Sequence, residues 1–192
     1  MDDLDTVTAA SGVLIDPEGP DGFAHLATAW SVGPGEWLTV WTAEQPPALS
    51  VRLLLAGSAL VGPVMAWEQD DDNPIAAFTS TVQAPSLALA PEGSLRKREA
   101  LAAIGFASVI EHPFFNLQRA ALDPVLYHPY LCPWRLAGHC ALFALDDGYV
   151  PGACPVGMAG APVLSARGVV GIVVEGAGGG GTPALTRFRR LA

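Results

Sequence analysis

Glycine and proline interrupt this chain so often that no long regular element fits between them. Among 192 residues stand 21 Gly and 17 Pro, some in tight groups such as Gly33-Pro34-Gly35. Each is a turn former or an element breaker, so the sequence calls for many short segments. The uncharged stretch Leu53 to Trp67 is itself broken by Gly57, Ser58, Gly62 and Pro63. That is too short and too interrupted for a transmembrane helix. Hydrophobic residues make up 51% of the chain and charged residues 15%. This apolar share is enough to build a core and excludes a disordered chain.

The net charge of −9 argues against nucleic acid or an anionic membrane as partner, since both need clustered Lys and Arg. Acid gathers at Asp2, Asp3 and Asp5, at Asp70 to Asp72, and at Asp146 and Asp147, while Arg187, Arg189 and Arg190 make the C-terminal end basic. These groups read as solvated faces and a capped terminal helix. The opening Met1-Asp2-Asp3-Leu4-Asp5 is the opposite of a secretory n-region, and Cys132, Cys140 and Cys154 form no dense framework. Both features set the expectation of a cytoplasmic protein. A single Lys against nine Arg, with abundant Ala, adds the expectation of a bacterial, GC-rich source.

Short apolar or alternating runs bounded by turn residues are the pattern of an all-β sandwich or barrel. Ala27 to Val32 and Trp37 to Trp41 flank Gly33-Pro34-Gly35 as a hairpin. Val51 to Leu55, Leu60 to Trp67 and Ile75 to Phe78 are further strands, and Pro85 to Gly93 is a connector at a lobe boundary. Ala100 to Phe106 has helix-forming residues, but Gly105 tips it to strand. Ala141 to Leu145, Pro162 to Leu164 and Val169 to Val174 continue the series, and Gly178 to Gly181 is a loop. Leu185, Phe188 and Leu191 stand at helical spacing after Pro183, which predicts a closing helix over 183–191.

Two segments carry a family resemblance. Ala27 to Thr42 resembles the first hairpin of trypsin-like (chymotrypsin-fold) serine proteases, which leads into a Thr-Ala-Ala-His motif. Gly157-Met158-Ala159-Gly160-Ala161-Pro162-Val163 resembles that family's Gly-x-Ser-Gly-x-Pro-Val segment. Asn73 to Ala77, Leu95 to Phe106 and Pro183 to Leu191 give weaker matches in family order, to the Asp-Ile-Ala-Leu segment, the opening strand of the second barrel and the closing helix. The resemblance implies one trypsin-like domain over 1–192. It would hold two antiparallel six-stranded β-barrels, over 10–90 and 95–180, meeting at a cleft, with a short C-terminal helix.

Acyl transfer by this machinery needs a hydroxyl nucleophile, an imidazole base and a carboxylate that orients it. Carried over residue by residue, the nucleophile position is Ala159, the imidazole position Thr42 and the carboxylate position Pro74. A two-residue shift puts Asp72 at the carboxylate position, still with no histidine to orient. The resemblance therefore implies a pseudoprotease with no catalytic residues. Gly157, Met158 and Ala159 would form a vestigial oxyanion loop, and Glu175 would lie on the former substrate-binding edge. The expected role is a binding or assembly subunit with a protein or peptide partner and no cofactor.

The alternative is an active hydrolase completed by a partner or built on a cysteine. His139 and Cys140 are adjacent, and neighbours on a strand point to opposite faces, which argues against a thiol–imidazole pair. His128, Cys132, His139, Cys140 and Cys154 lack a Cys-x-x-Cys pair, so metal binding is not expected. His25 and His112 are isolated. Trp37 and Trp41 share a strand face, where they either line the cleft or fill the barrel core, the core being the expectation.

Overall fold

The computed structural model describes residues 4–18, 24–56, 60–107, 132–141, 146–155, 157–177 and 185–191. The regular elements among these residues are one short helix and thirteen strands. Helix α1 spans Leu4–Ala9. Strands β1 to β7 are Ser11–Asp16, Ala24–Gly33, Glu36–Val40, Arg52–Leu55, Val61–Pro63, Met65–Gln69 and Ile75–Thr79. Strands β8 to β13 are Ala100–Ala107, Cys132–His139, Asp147–Pro151, Pro162–Ser165, Gly168–Ala177 and Leu185–Arg190.

Every ladder between these strands is antiparallel, and the strands sort into two sheets by chain order. The first runs β5-β4-β1-β2-β3-β7-β6 and the second β10-β13-β12-β11-β8-β9. Only Val64 separates β5 from β6, so both ends of the first sheet belong to one bent strand, which pairs with β4 before the bend and with β7 after it. In the second sheet the end strands β9 and β10 also lie side by side. Just past β9, the Ala141 N–H donates to the Tyr149 carbonyl at 3.0 Å. Both sheets thus curl until their end strands meet, which leaves few exposed edges. With the bent strand taken as one, both rings have the same order: first, second, third, sixth, fifth, fourth.

The predicted hairpin is β2 and β3, paired Ala29 with Thr39 and Trp30 with Leu38. Gly35 closes its turn at φ 73°, where a side chain would be strained. Gly105 sits within β8, as the strand reading of that segment required. The segments predicted at 51–55, 75–78, 162–164 and 169–174 are β4, β7, β11 and β12. Residues 142–145 and the 178–181 loop lie outside the described residues.

The closing helix over 183–191 is not formed; Leu185–Arg190 is β13, paired with β10 on one side and β12 on the other. Thr186 and Phe188 are fully buried while the residues between them are partly exposed, a period of two rather than 3.6. The second sheet consequently runs on to residue 190, ten residues past the predicted barrel limit of 180. The basic end is not a helix cap either. Arg187 and Arg189 both pair with Asp147, at 3.2 and 2.8 Å, and Arg187 also reaches Glu175 at 3.3 Å.

Each ring holds its own core. Leu14, Trp37, Leu53 and Phe78 fill the first, with Trp41 and Trp67 packed against them. Trp37 is fully buried and Trp41 meets Trp67 edge-on at 5.5 Å between centroids, so the two tryptophans of β3 and its extension are core, not cleft. Leu101, Met158, Val163, Val173 and Phe188 fill the second. A third cluster joins the rings: Trp30 and Val40 from the first pack with Ile104, Val169, Ile172 and Val174 from the second, under Val7 of α1. The 80–99 connector is bonded to both sheets. Its Leu87 N–H donates to the Ser31 carbonyl, and Ala90 and Val169 exchange bonds with Val169 and Ala88 carbonyls at 2.8 and 2.9 Å.

Candidate functional site

Of the positions singled out from the sequence, Ala159 packs in the cluster that joins the two sheets, and Thr42, Pro74 and Glu175 lie within two residues of its members in sequence. Val40 pairs with Ile75 at the end of the β3–β7 ladder. One residue further, the Trp41 N–H donates to the Pro74 carbonyl at 2.8 Å. Thr42 and Pro74 therefore flank Val40 and Ile75, and both of these pack in the cluster that joins the sheets. Ala159 packs on the same cluster from the loop that precedes β11, and Val174 of that cluster immediately precedes Glu175. Asp72 is exposed in the turn closed by the Asn73 N–H donating to the Asp70 carbonyl.

Held at this seam, the side chains have little chemistry to offer. Thr42 presents an exposed hydroxyl, Pro74 a ring and Ala159 a methyl. A threonine hydroxyl is no base near neutral pH, and neither of the others can donate or accept a proton. Glu175, although exposed, is tied to Arg187.

The loop backbone is more distinctive. Gly157 and Gly160 sit at φ 96° and 88°, reversing the chain twice within a few residues. The N–H groups of Met158, Gly160 and Ala161 donate to the carbonyls of Pro155, Val173 and Met158. Those of Gly157 and Ala159 donate to no carbonyl among the described residues. Backbone N–H groups left without a protein acceptor in a glycine turn are the kind that can bind a carbonyl oxygen or an anion. Beside Pro74, a cavity of about 590 Å³ opens between Asn73, Ile75, Glu92, Asp146, Arg189 and Leu191.

Thr28 ties the loop to the first sheet. Its N–H donates to the Ala159 carbonyl and its hydroxyl to the Gly157 carbonyl, both at 2.8 Å. The same hydroxyl accepts from the Phe106 N–H at 3.3 Å, and the Thr28 carbonyl accepts from the Thr39 hydroxyl at 2.7 Å. Sequence reasoning passed over Thr28 and Thr39. Their only signal was a hydroxyl repeated among apolar residues on facing strands. Thr28→Val is expected to lower stability by about 2 kcal/mol, since two buried backbone groups lose their partner, while Thr28→Ser retains most of it. Urea unfolding of the two variants measures the difference.

The thiols are core residues of the second ring. Cys140 is buried there and Cys154 is partly buried against the same cluster. His139 is exposed, on the face opposite Cys140, as strand alternation requires. Burial pushes the Cys154 thiol above its ordinary value, against the opposing effect of its 3.2 Å contact with the Thr186 hydroxyl. Burial likewise raises Cys140. At neutral pH iodoacetamide is expected to modify both more slowly than an exposed cysteine, as peptide mapping would read; rapid alkylation at Cys154 would mark it as an activated thiolate. Among the described residues no group of three or more His, Cys, Asp or Glu gathers as a metal site. His112 and His128 lie outside them. No helix among the described residues is long and apolar enough to cross a membrane.

No protein-family model matches the chain, and no curated protein matches it.

Proposed function

We propose that this chain is a catalytically inert relative of trypsin-like serine proteases, acting in the cytoplasm by holding a protein or peptide as a subunit of a larger complex. The observation that carries this reading is the repeated ring order of the two sheets, joined by a cluster that holds Ala159 together with Val40 and Ile75. Two six-stranded rings meeting at a cleft are the architecture the sequence resemblance implies, and Thr42, Pro74 and Ala159 supply no base to activate a hydroxyl for attack on a carbonyl. The N–H groups of Gly157 and Ala159, which donate to no carbonyl among the described residues, support retention of carbonyl binding without a nucleophile to exploit it. The raised thiols weigh against the cysteine-based alternative, because the thiolate is the attacking species.

A pool of fluorogenic peptides covering all residues before the scissile bond tests the reading. The expected result is release no faster than buffer alone at any pH between mild acid and mild base. Sustained turnover by the purified chain would overturn it. Loss of that turnover in Cys140→Ala or Cys154→Ala would then locate the activity on a thiol.

A further inference from the structure

Of the seven exposed large hydrophobic side chains among the described residues, three gather at the bent strand of the first ring. Among the described residues β5 pairs only with β4 and β6 only with β7, so each half of the strand uses a single edge. The bend is strained: Ala66 lies at φ 46°, inside a bulge between Met65 and Glu68. A side chain rarely adopts this conformation, and bulges re-aim the residues around them. Around this bend Leu60 is 58% exposed, Val61 51% and Met65 41%.

Beyond Met65 the apolar strip runs into acid. A groove of about 250 Å³ lies between β6 and the loop after β3, lined by Glu44, Gln45, Trp67, Gln69, Asp70 and Asp71. No Lys or Arg among the described residues lines it. The wider field has the same sign, because 13 of the 19 acidic residues precede residue 95, and Arg52 is the only Lys or Arg in that half. The other nine Lys and Arg all lie in the second half.

We propose that this strand edge and its groove dock an extended segment of a partner protein in which apolar residues alternate with Lys or Arg. An added strand along β6 gains main-chain hydrogen bonds from an unpaired edge, and alternate side chains then reach the surface beneath. Its apolar residues cover Val61 and Met65. Its basic residues lie among Glu44, Asp70 and Asp71. Charge complementarity selects this occupant over an acidic or neutral one and speeds its encounter. The inference rests on the reading of the chain as a binding subunit and adds where the partner sits and what it is made of.

The test uses a short fluorescein-labelled peptide alternating valine with lysine and arginine, and its counterpart with glutamate at every basic position, titrated into the full chain. The basic peptide is expected to bind, more weakly as salt rises, and the acidic one not to bind. Asp70→Lys with Asp71→Lys should weaken binding by about tenfold or more. Met65→Asp should do the same, while Asp146→Lys on the second ring leaves it within about twofold. Circular dichroism of each variant checks that the fold persists. Absence of binding, equal binding of the acidic peptide, or indifference to the strand substitutions would overturn the proposal. So would a concentration-dependent dimer that the Asp70→Lys, Asp71→Lys pair dissolves, since a second copy would then be the occupant. Binding lost on Glu175→Lys but not on the strand substitutions would place the partner at the seam instead. That outcome sinks this inference and leaves the inert-subunit reading standing.

Discussion

Gly160→Ala is expected to destabilise the protein by more than about 4 kcal/mol, or to prevent folding at ambient temperature. Two effects combine. At φ 88° a side chain is strained by about 1–2 kcal/mol. A Cβ built there would also stand 2.0 Å from the Thr28 carbonyl oxygen and 2.8 Å from the Thr39 hydroxyl. That carbonyl cannot retreat freely, because it is held by the Thr39 hydroxyl while the Thr28 N–H holds Ala159. Relief therefore means parting the two rings at their seam. Gly93 supplies the control, with a similar φ of 68° and nothing within 4 Å of an added Cβ. Gly93→Ala should cost only the backbone strain, about 1–2 kcal/mol. Urea unfolding of both variants separates strain from collision, and equal losses would show that the seam is not tightly closed.

Phe188→Ala is expected to cost about 3–5 kcal/mol, through lost burial and the void left behind. Phe188 is fully buried in β13, and its ring lies over two glycines on the neighbouring strands. A Cβ at Gly148 would come within 2.2 Å of it, and one at Gly171 within 2.5 Å. The ring thus occupies the space that side chains on β10 and β12 would otherwise take. Gly148→Ala alone should be strongly destabilising for the same reason. Combined with Phe188→Ala it should cost far less than the sum, because the added methyl enters the vacated space. A double-mutant cycle by thermal or urea unfolding reads that coupling, and simple additivity would contradict this packing.

The same residues explain what the sequence could and could not tell. The β2–β3 hairpin was legible because Gly33-Pro34-Gly35 is a local signal and the flanking runs alternate. The last segment was misread because Leu185, Phe188 and Leu191 happen to sit three apart, while the facts that make it a strand lie elsewhere in the chain, at Gly148 and Gly171. Strands β9 and β10 went unread for a similar reason: Pro133, Pro151, Gly138 and Gly148 mask their alternation, and pairing with β8 and β13 decides it.

At the seam, the resemblance picked out Thr42, Pro74 and Ala159 but could not reveal Thr28, whose role comes from a partner 129 residues away. The acid at Asp70 to Asp72 read as a solvated face. Only the bend at Ala66, which turns Met65 outward beside a groove holding Asp70 and Asp71, gives that face a shape.

On the reading proposed above, no acyl-transfer chemistry operates where the two rings join. Treatment with a fluorophosphonate, followed by intact mass and peptide mapping, tests it most directly, because the reagent traps an activated hydroxyl whatever the substrate preference. The account predicts an unmodified chain after prolonged exposure, with Thr42 unlabelled. A stoichiometric adduct on any serine or threonine would contradict it.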